Sequence, residues 1–367
     1  MYLLRIARLT YKVIVHKMIK YGKGTLRMDS ILHDCKSYRR FGAEIEINTL
    51  DGSVRRPNTD AGEIPLGADL LAQSIFSVVQ EPVQIHPWDY YHNNTCWIIK
   101  HDTSCGMEIN SPVLKGWTGL EKLMKVVEGV AASGLSADKR CSLHVHINIS
   151  DLNKEQLAAV IAYYIKCEHV IFDSFPDHRK NNRYCQLLGM TDLFQHDLIQ
   201  EPDELINAIS GTKYYSMNAY HFVKGGGFSV RNCRRKSVEF RIAENRGCVD
   251  PFFIKNWVRF LLHFLDVTSK LPMPSSYREG DPWSGLLWLD PEDVFKLLKF
   301  DNEDLLSGGL KQVRGWFVDR LKENVLCDGL PGIWSKAGRY KNWSEITELT
   351  SEDSNESDAL YGNQYII

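Results

Sequence analysis

Long apolar runs are absent from this chain of 367 residues. No stretch reaches the ~18 uninterrupted apolar residues of a membrane span, so none is expected. The most apolar candidate, PFFIKNWVRFLLHFLDV, carries Lys255, Arg259, His263 and Asp266 and reads as a buried amphipathic helix. An excess of one charge sign is absent as well. Lys and Arg total 44 against 46 Asp and Glu, a net charge of −2, which gives no global pull toward nucleic acid or acidic lipid. Specific nucleic-acid binding is therefore not expected. Paired cysteines are also missing. The nine cysteines stand singly, at 35, 96, 105, 141, 167, 185, 233, 248 and 327, with no C-x-x-C and an odd count. That argues against a disulfide framework or a zinc ribbon and for reduced thiols, hence a cytoplasmic location. No internal repeat is present.

What is present is ordinary for a globular protein: 44% hydrophobic and 25% charged residues. The opening, MYLLRIARLTYKVIVHKMIKYGKG, is basic and partly apolar. Arg5, Arg8, Lys12 and Lys17 break it too often for a signal peptide, and no small-residue cleavage site follows. Residues 1–38 read as a basic, poorly ordered lead, with Met28 an alternative start. Residues 39–270 read as the main domain and 271–345 as a helical extension packed on its core. The acidic, polar residues 346–367 read as a disordered tail.

Periodicity supplies the elements. RRFGAEIEIN alternates as a half-buried strand does. CWIIKHDTSCGMEINSP reads as a hairpin turning at Asp102–Gly106, and SLHVHINIS as a further strand. TGLEKLMKVVEGVAASG predicts a helix with a Thr118–Glu121 capping box. NKEQLAAVIAYYIKCEHVIFDSF predicts a long helix, and KGGGFSVRNCRRKSVEFRIAENRG two strands around a basic turn. Residues 287–326 read as helical, broken at LLSGG. ADLLAQSIFSVV reads as helical too. Strands and helices in this order suggest an α+β fold on an antiparallel sheet.

Strand residues two apart share a face. Glu44 and Glu46 therefore point one way, with Ala43, Ile45 and Ile47 opposite. His144 and His146 pair in the same manner, as do Glu239 and Arg241, and Glu108 sits in its own strand. Each pattern alone has a plain explanation, such as a solvated sheet face or a same-face salt bridge. Together they put acid, imidazole and guanidinium on one open face, an arrangement suited to divalent metals and a nucleoside triphosphate.

The ordered set RRFGAEIE, GMEINSP, SLHVHINIS and SVEFRIAENRG, from about Arg39 to about Asp266, resembles the amidoligase family. These carboxylate–amine ligases share the catalytic fold of glutamine synthetase and glutamate–cysteine ligase, so the resemblance implies a curved antiparallel sheet with helices on one face and an open catalytic face, and makes residues 39–270 the catalytic domain. The resemblance implies ATP and two divalent ions, Mg²⁺ or Mn²⁺, held by Glu44, Glu46, Glu108, His144 and Glu239. It places His146 nearer the nucleotide and makes Arg231 and Arg241 the phosphate clamp. Arg183, in NNRYC, is a further candidate for phosphate or substrate carboxylate. The reaction implied joins a carboxylate to an amine, either of them peptide or amino-acid derived, and relatives that form rings make an oligomer compatible. DKRCSL before the histidines departs from the synthetase pattern, so no substrate residue carries over there. The substrate pocket is expected in residues 51–67 and in 86–97, with Trp88, Tyr90, Tyr91 and Trp97. KGGGF, at 224–228, is a loop that could hug a phosphate or serve as a turn. Two other readings compete. One is a metal-dependent hydrolase using His144, His146 and a carboxylate on zinc or manganese. The other is a non-catalytic binding module on the same fold.

Overall fold

Alternation at Arg40–Asn48 produces the central strand, β1, whose odd-numbered side chains face the core while Glu44 and Glu46 face away. A computed structural model describes residues 39–52, 64–87, 95–180, 182–188, 201–229, 236–275, 281, 283–286, 288–301, 306 and 308–326. Beyond β1 the chain forms helix α1 (Ala68–Val79), β2 (Val83–His86), the hairpin β3 (Trp97–Asp102) and β4 (Gly106–Asn110), and β5 (Leu114–Lys115). It continues as α2 (Gly116–Ala132), β6 (Leu143–Asn148), α3 (Lys154–Asp173), α4 (Asp177–Lys180) and α5 (Pro202–Ala208). Then come β7 (Met217–Asn218), α6 (Tyr220–Lys224), β8 (Ser237–Phe240), α7 (Arg246–Val249), α8 (Pro251–Thr268), α9 (Pro291–Leu297) and α10 (Gly308–Leu326).

The eight strands form one mixed, mostly antiparallel open sheet in the order β2-β3-β4-β1-β6-β8-β7, with β5 on β1. Only β2 runs parallel to its neighbour, β3. The fold is α+β. One sheet face is largely apolar: Phe41, Ala43, Ile45 and Ile47 on β1, Met107 and Ile109 on β4, Val145 and Ile147 on β6, and Val238 and Phe240 on β8. These residues share a single buried cluster with Leu123, Val127 and Val130 of α2, Tyr164 of α3, and Trp257, Phe260 and Phe264 of α8. Period-two apolar residues must bury one face, and helices with an apolar stripe are what covers it.

The helix ends follow local chemistry. Asn153 and Gln156 close a capping box at α3. Asp250 accepts from the amides of Phe252 and Phe253 at α8, where Pro251 needs no donor partner. The Thr118–Glu121 box does not form. β5 pairs with β1 and turns directly into α2 at Gly116, which adopts φ +59, so Thr118 lies inside the first turn. Of the two strands expected between 224 and 247, the first is absent among the described residues. Gly227–Ser229 is a 3₁₀ turn, residues 230–235 lie outside the described set, and Ser237–Phe240 is the strand that forms. The strands β2, β5 and β7, of two to four residues, were too short to show a period. The lead 1–38, the segment 88–94 with Trp88, Tyr90 and Tyr91, and the tail lie outside the described residues. Trp97 is not a pocket residue: it is fully buried in β3, with Nε1 donating to Glu81 at 3.1 Å.

Ile45→Ala removes a fully buried side chain at the centre of the sheet and is expected to cost about 2–5 kcal/mol in urea unfolding. Asp250→Ala, losing a cap, is expected to cost about 1 kcal/mol.

Candidate active site

The second face of the sheet is polar, and strand register decides what meets there. Glu46 pairs with Glu108 across β1 and β4, and Lys100 pairs with Glu108 across β3 and β4. Glu44 pairs with His144 across β1 and β6, and His146 with Glu239 across β6 and β8. The strands thus gather all five expected metal ligands and His146 into the lining of one open cleft of about 740 Å³, which Arg241 also lines.

Two acid-rich groups result. The ligand atoms of Glu44, His144 and Glu239 lie within 4.8 Å of one another, and so do those of Glu46, Asp102 and Glu108. His146 belongs to neither group; its Nε2 sits 3.1 Å from Glu44 Oε1. Its geometry there is that of an ion pair out of line for a hydrogen bond.

Asp102 was not foreseen as a site residue, having been read only as the start of a turn. It is the last residue of β3, and its carboxylate accepts from the amides of Ser104 and Cys105 at 2.7 and 3.1 Å and from the Ser104 hydroxyl. Those bonds hold its pKa down despite burial, so it stays ionised. The hairpin register carried the signal, since Lys100 and Asp102 share the face of Glu108. Lys100 was missed for the same reason and pairs with Glu108 Oε1 at 3.1 Å.

Electrostatics differ between the groups. Burial pushes Glu46 up to about 7, and the charge of Asp102 adds to this against the hydrogen bond from Ser142. Burial also lifts Glu108 to about 7, with Glu44 adding to it and Lys100 opposing. Burial works against ionisation of Glu44, but His146 and His144 outweigh it and hold Glu44 well below the usual carboxylate range. Burial disfavours the charged form of His146 too, yet Glu44 beside it raises the imidazole to about 9. His146 is thus an imidazolium at neutral pH. For Glu239 burial is outweighed by Arg241 and His146, which hold it down.

His144 is neutral, since burial and then Arg241 push its pKa down. Ser142 gives its hydroxyl proton to Glu46 Oε2 at 2.7 Å, so at 2.8 Å His144 Nε2 must donate to Ser142 Oγ. The Nδ1 lone pair then faces Glu44 Oε2 at 3.1 Å and Glu239 Oε1 at 3.7 Å. That lone pair also accepts from Arg241 Nη1 at 3.4 Å, so a metal ion would take the guanidinium's place between the two carboxylates; the second nitrogen held by a hydrogen bond is how metal-ligating histidines are oriented. The donors are mainly hard oxygens, so the set fits Mg²⁺ or Mn²⁺ better than zinc.

The arginines separate. Arg241 ion-pairs with Glu239, donates from Nε to the Tyr184 carbonyl at 3.0 Å, and lines the cleft. Arg183 does not line it; the side chain is exposed and donates to the Tyr184 hydroxyl at 2.6 Å. Its position on the loop after α4 turns it away from the sheet. Arg231 lies outside the described residues.

Residues 9–265 match the model of the family described as "Putative amidoligase enzyme". The chain belongs to the amidoligase family. The match begins upstream of the resemblance read from Arg39 onward, and it contains both acid groups. Among solved structures, a bifunctional glutathione synthetase from Pasteurella multocida is 11% identical, with a TM-score of 0.37 over 88% of this chain and 53% of that one. The chain therefore spans about half the length of that structure. No curated protein matches it. Among the described residues of this amidoligase-family chain, no helix is long and apolar enough to cross a membrane.

A raised carboxyl pKa means the folded state binds more protons than the unfolded one between pH 4.5 and about 7, so metal-free stability falls as pH rises through that window. Glu46→Gln mimics the protonated form. It is expected to raise the melting temperature of the metal-free protein at pH 8 and to leave it nearly unchanged at pH 5, as read by thermal unfolding at both pH values.

Proposed function

We propose that the protein is an ATP- and divalent-metal-dependent ligase that joins a carboxylate to an amine through an acyl phosphate. The observation that carries this reading is the pair of adjoining acid groups, Glu44–His144–Glu239 and Glu46–Asp102–Glu108, on the open sheet face of an amidoligase-family chain. A free carboxylate is a poor electrophile because it would have to expel oxide. Transfer of the γ-phosphoryl group to a carboxylate oxygen supplies a leaving group. The amine then attacks the acyl carbon and phosphate departs.

Bringing a triphosphate against a carboxylate is an electrostatic problem, and the protein's part is to position both anions. Glu44, His144 and Glu239 would hold one ion and Glu46, Asp102 and Glu108 a second. When bound, these ions would offset the repulsion and stabilise charge on the phosphoryl oxygens. His146, charged and set against Glu44, is suited to donate to an anionic oxygen rather than to ligate. Arg241, anchored by the Tyr184 carbonyl and Glu239, would present its guanidinium along the same face. Arg231 keeps its assignment as a phosphate contact from the sequence resemblance alone. The hydrolase reading needs His144 and His146 on one ion, and among the described residues they do not fall in one group.

Calorimetry tests this without knowledge of the substrate. ATP is expected to bind only with Mg²⁺ or Mn²⁺ present. Glu44→Gln/Glu46→Gln should abolish that binding, and in a screen of carboxylate and amine pairs Asp102→Asn should slow the ADP release that wild type shows by roughly 10²–10³, the scale of losing one transition-state charge contact. A protein that ignores ATP and carries zinc overturns the reading in favour of the hydrolase.

A further inference from the structure

We propose that Arg179 is an anion-binding residue of the cleft, gripping an oxyanion, either a carboxylate or a phosphoryl group, with the free end of its guanidinium. The inference rests on the ligase reading for the identity of that anion.

Arg179 lies on α4 and is only 2% exposed. Buried arginines ordinarily have an acidic partner. Arg241 has Glu239, and Arg320 has Glu244. Arg179 forms no ion pair with any described residue. Two acids whose titration it influences have other partners: Glu46 accepts from Ser142, and Glu244 pairs with Arg320.

Its orientation is fixed by backbone. Nε donates to the Ile242 carbonyl at 3.1 Å and Nη2 to the Arg241 carbonyl at 2.6 Å. These bonds use the Nε–Nη2 edge of the fork. The Nη1 hydrogens and the second Nη2 hydrogen make no bond to a described residue, and the side chain forms part of the cleft wall. A guanidinium held in plane by two carbonyls, with its other edge open, has the geometry for two parallel bonds to an oxyanion. Asn182, Tyr184, Lys213 and Tyr214 line the same cleft, as does Glu46, whose ionisation the Arg179 charge favours. Tyr184 and Tyr214 pack edge to face at 5.4 Å, which gives the wall a rigid aromatic surface. An anion held there would lie in the same cleft as the acid groups, where a reacting carboxylate and a transferring phosphoryl must both approach.

The test uses the full chain and calorimetry with Mg–ATP, inorganic phosphate and succinate as probes. The variants are Arg179→Lys, which keeps the charge but not the fork, Arg179→Ala, and, as control, Lys125→Ala, an exposed residue of α2 away from the cleft lining. Melting curves accompany each. Wild type should bind at least one probe, and both Arg179 variants should weaken that probe by roughly 10–100-fold, the range for hydrogen bonds to charged groups. Millimolar guanidinium should partly restore binding to Arg179→Ala, and Lys125→Ala should match wild type. Loss on Mg–ATP or phosphate assigns a phosphoryl oxygen; loss on succinate alone assigns the substrate carboxylate. If Arg179→Ala fails to fold, Arg179→Lys decides. Wild-type affinity in Arg179→Lys overturns the inference, as does a wild-type protein that holds none of the three anions. A wild type that ignores Mg–ATP yet binds phosphate or succinate through Arg179 would sink the ligase reading and leave the inference standing.

Discussion

Mutual repulsion of carboxylates on one sheet face is the constraint around which this structure is organised. Glu44, Glu46, Asp102, Glu108 and Glu239 crowd into two groups with ligand atoms no more than 4.8 Å apart. Without a cation, such crowding has to be relieved by protonation, by basic neighbours or by hydrogen bonds. The molecule uses all three. His146 offsets Glu44, Arg241 offsets Glu239, and Lys100 offsets Glu108. Glu46 has no such cation in contact; it has the amide and hydroxyl of Ser142, and its pKa rises to about 7. A site strained in this way by its own charge is poised for ligands that bring positive charge in.

The apolar face makes that crowding tolerable. Ile45, Ile47, Val145 and Phe240 lock strand register from below, packed under Trp257 and Phe264 of α8. A one-residue slip would carry every acid into the core and every apolar side chain out, so register is strongly specified. The helical layer is in turn tied to the later chain. Lys166, buried in α3, donates to the carbonyls of Ser284 and Gly285, and Phe317 of α10 stacks on Phe260 at 4.7 Å. The polar face thus sits on a floor whose geometry the core fixes, as a site that must hold two anions in line requires.

The arginines show how a site divides labour between charge and position. Arg241 is committed to Glu239 within the sheet. Arg179 leans on the carbonyls of residues 241 and 242, so the strand end that carries Arg241 also aims Arg179. Two guanidiniums are thereby set by the same few residues of backbone, one paired and one with an open edge.

Period-two alternation was enough to place Glu44, Glu46, His144, His146, Glu239 and Arg241 on polar faces, and to predict the strands that bear them. It sufficed because a strand's side-chain direction is a local property, readable from neighbours two residues away. The long helices were legible for the same reason. What alternation could not decide was which faces meet, and that is set by pairing between strands distant in sequence. Only register brought Asp102 and Lys100 to Glu108. Only the path of the chain after α3 turned Arg179 inward and Arg183 out, four residues apart in the same basic stretch. Short strands such as β2 and β7, and the turn that replaced the Thr118 cap, escaped because their conformation comes from the partner strand rather than from their own residues.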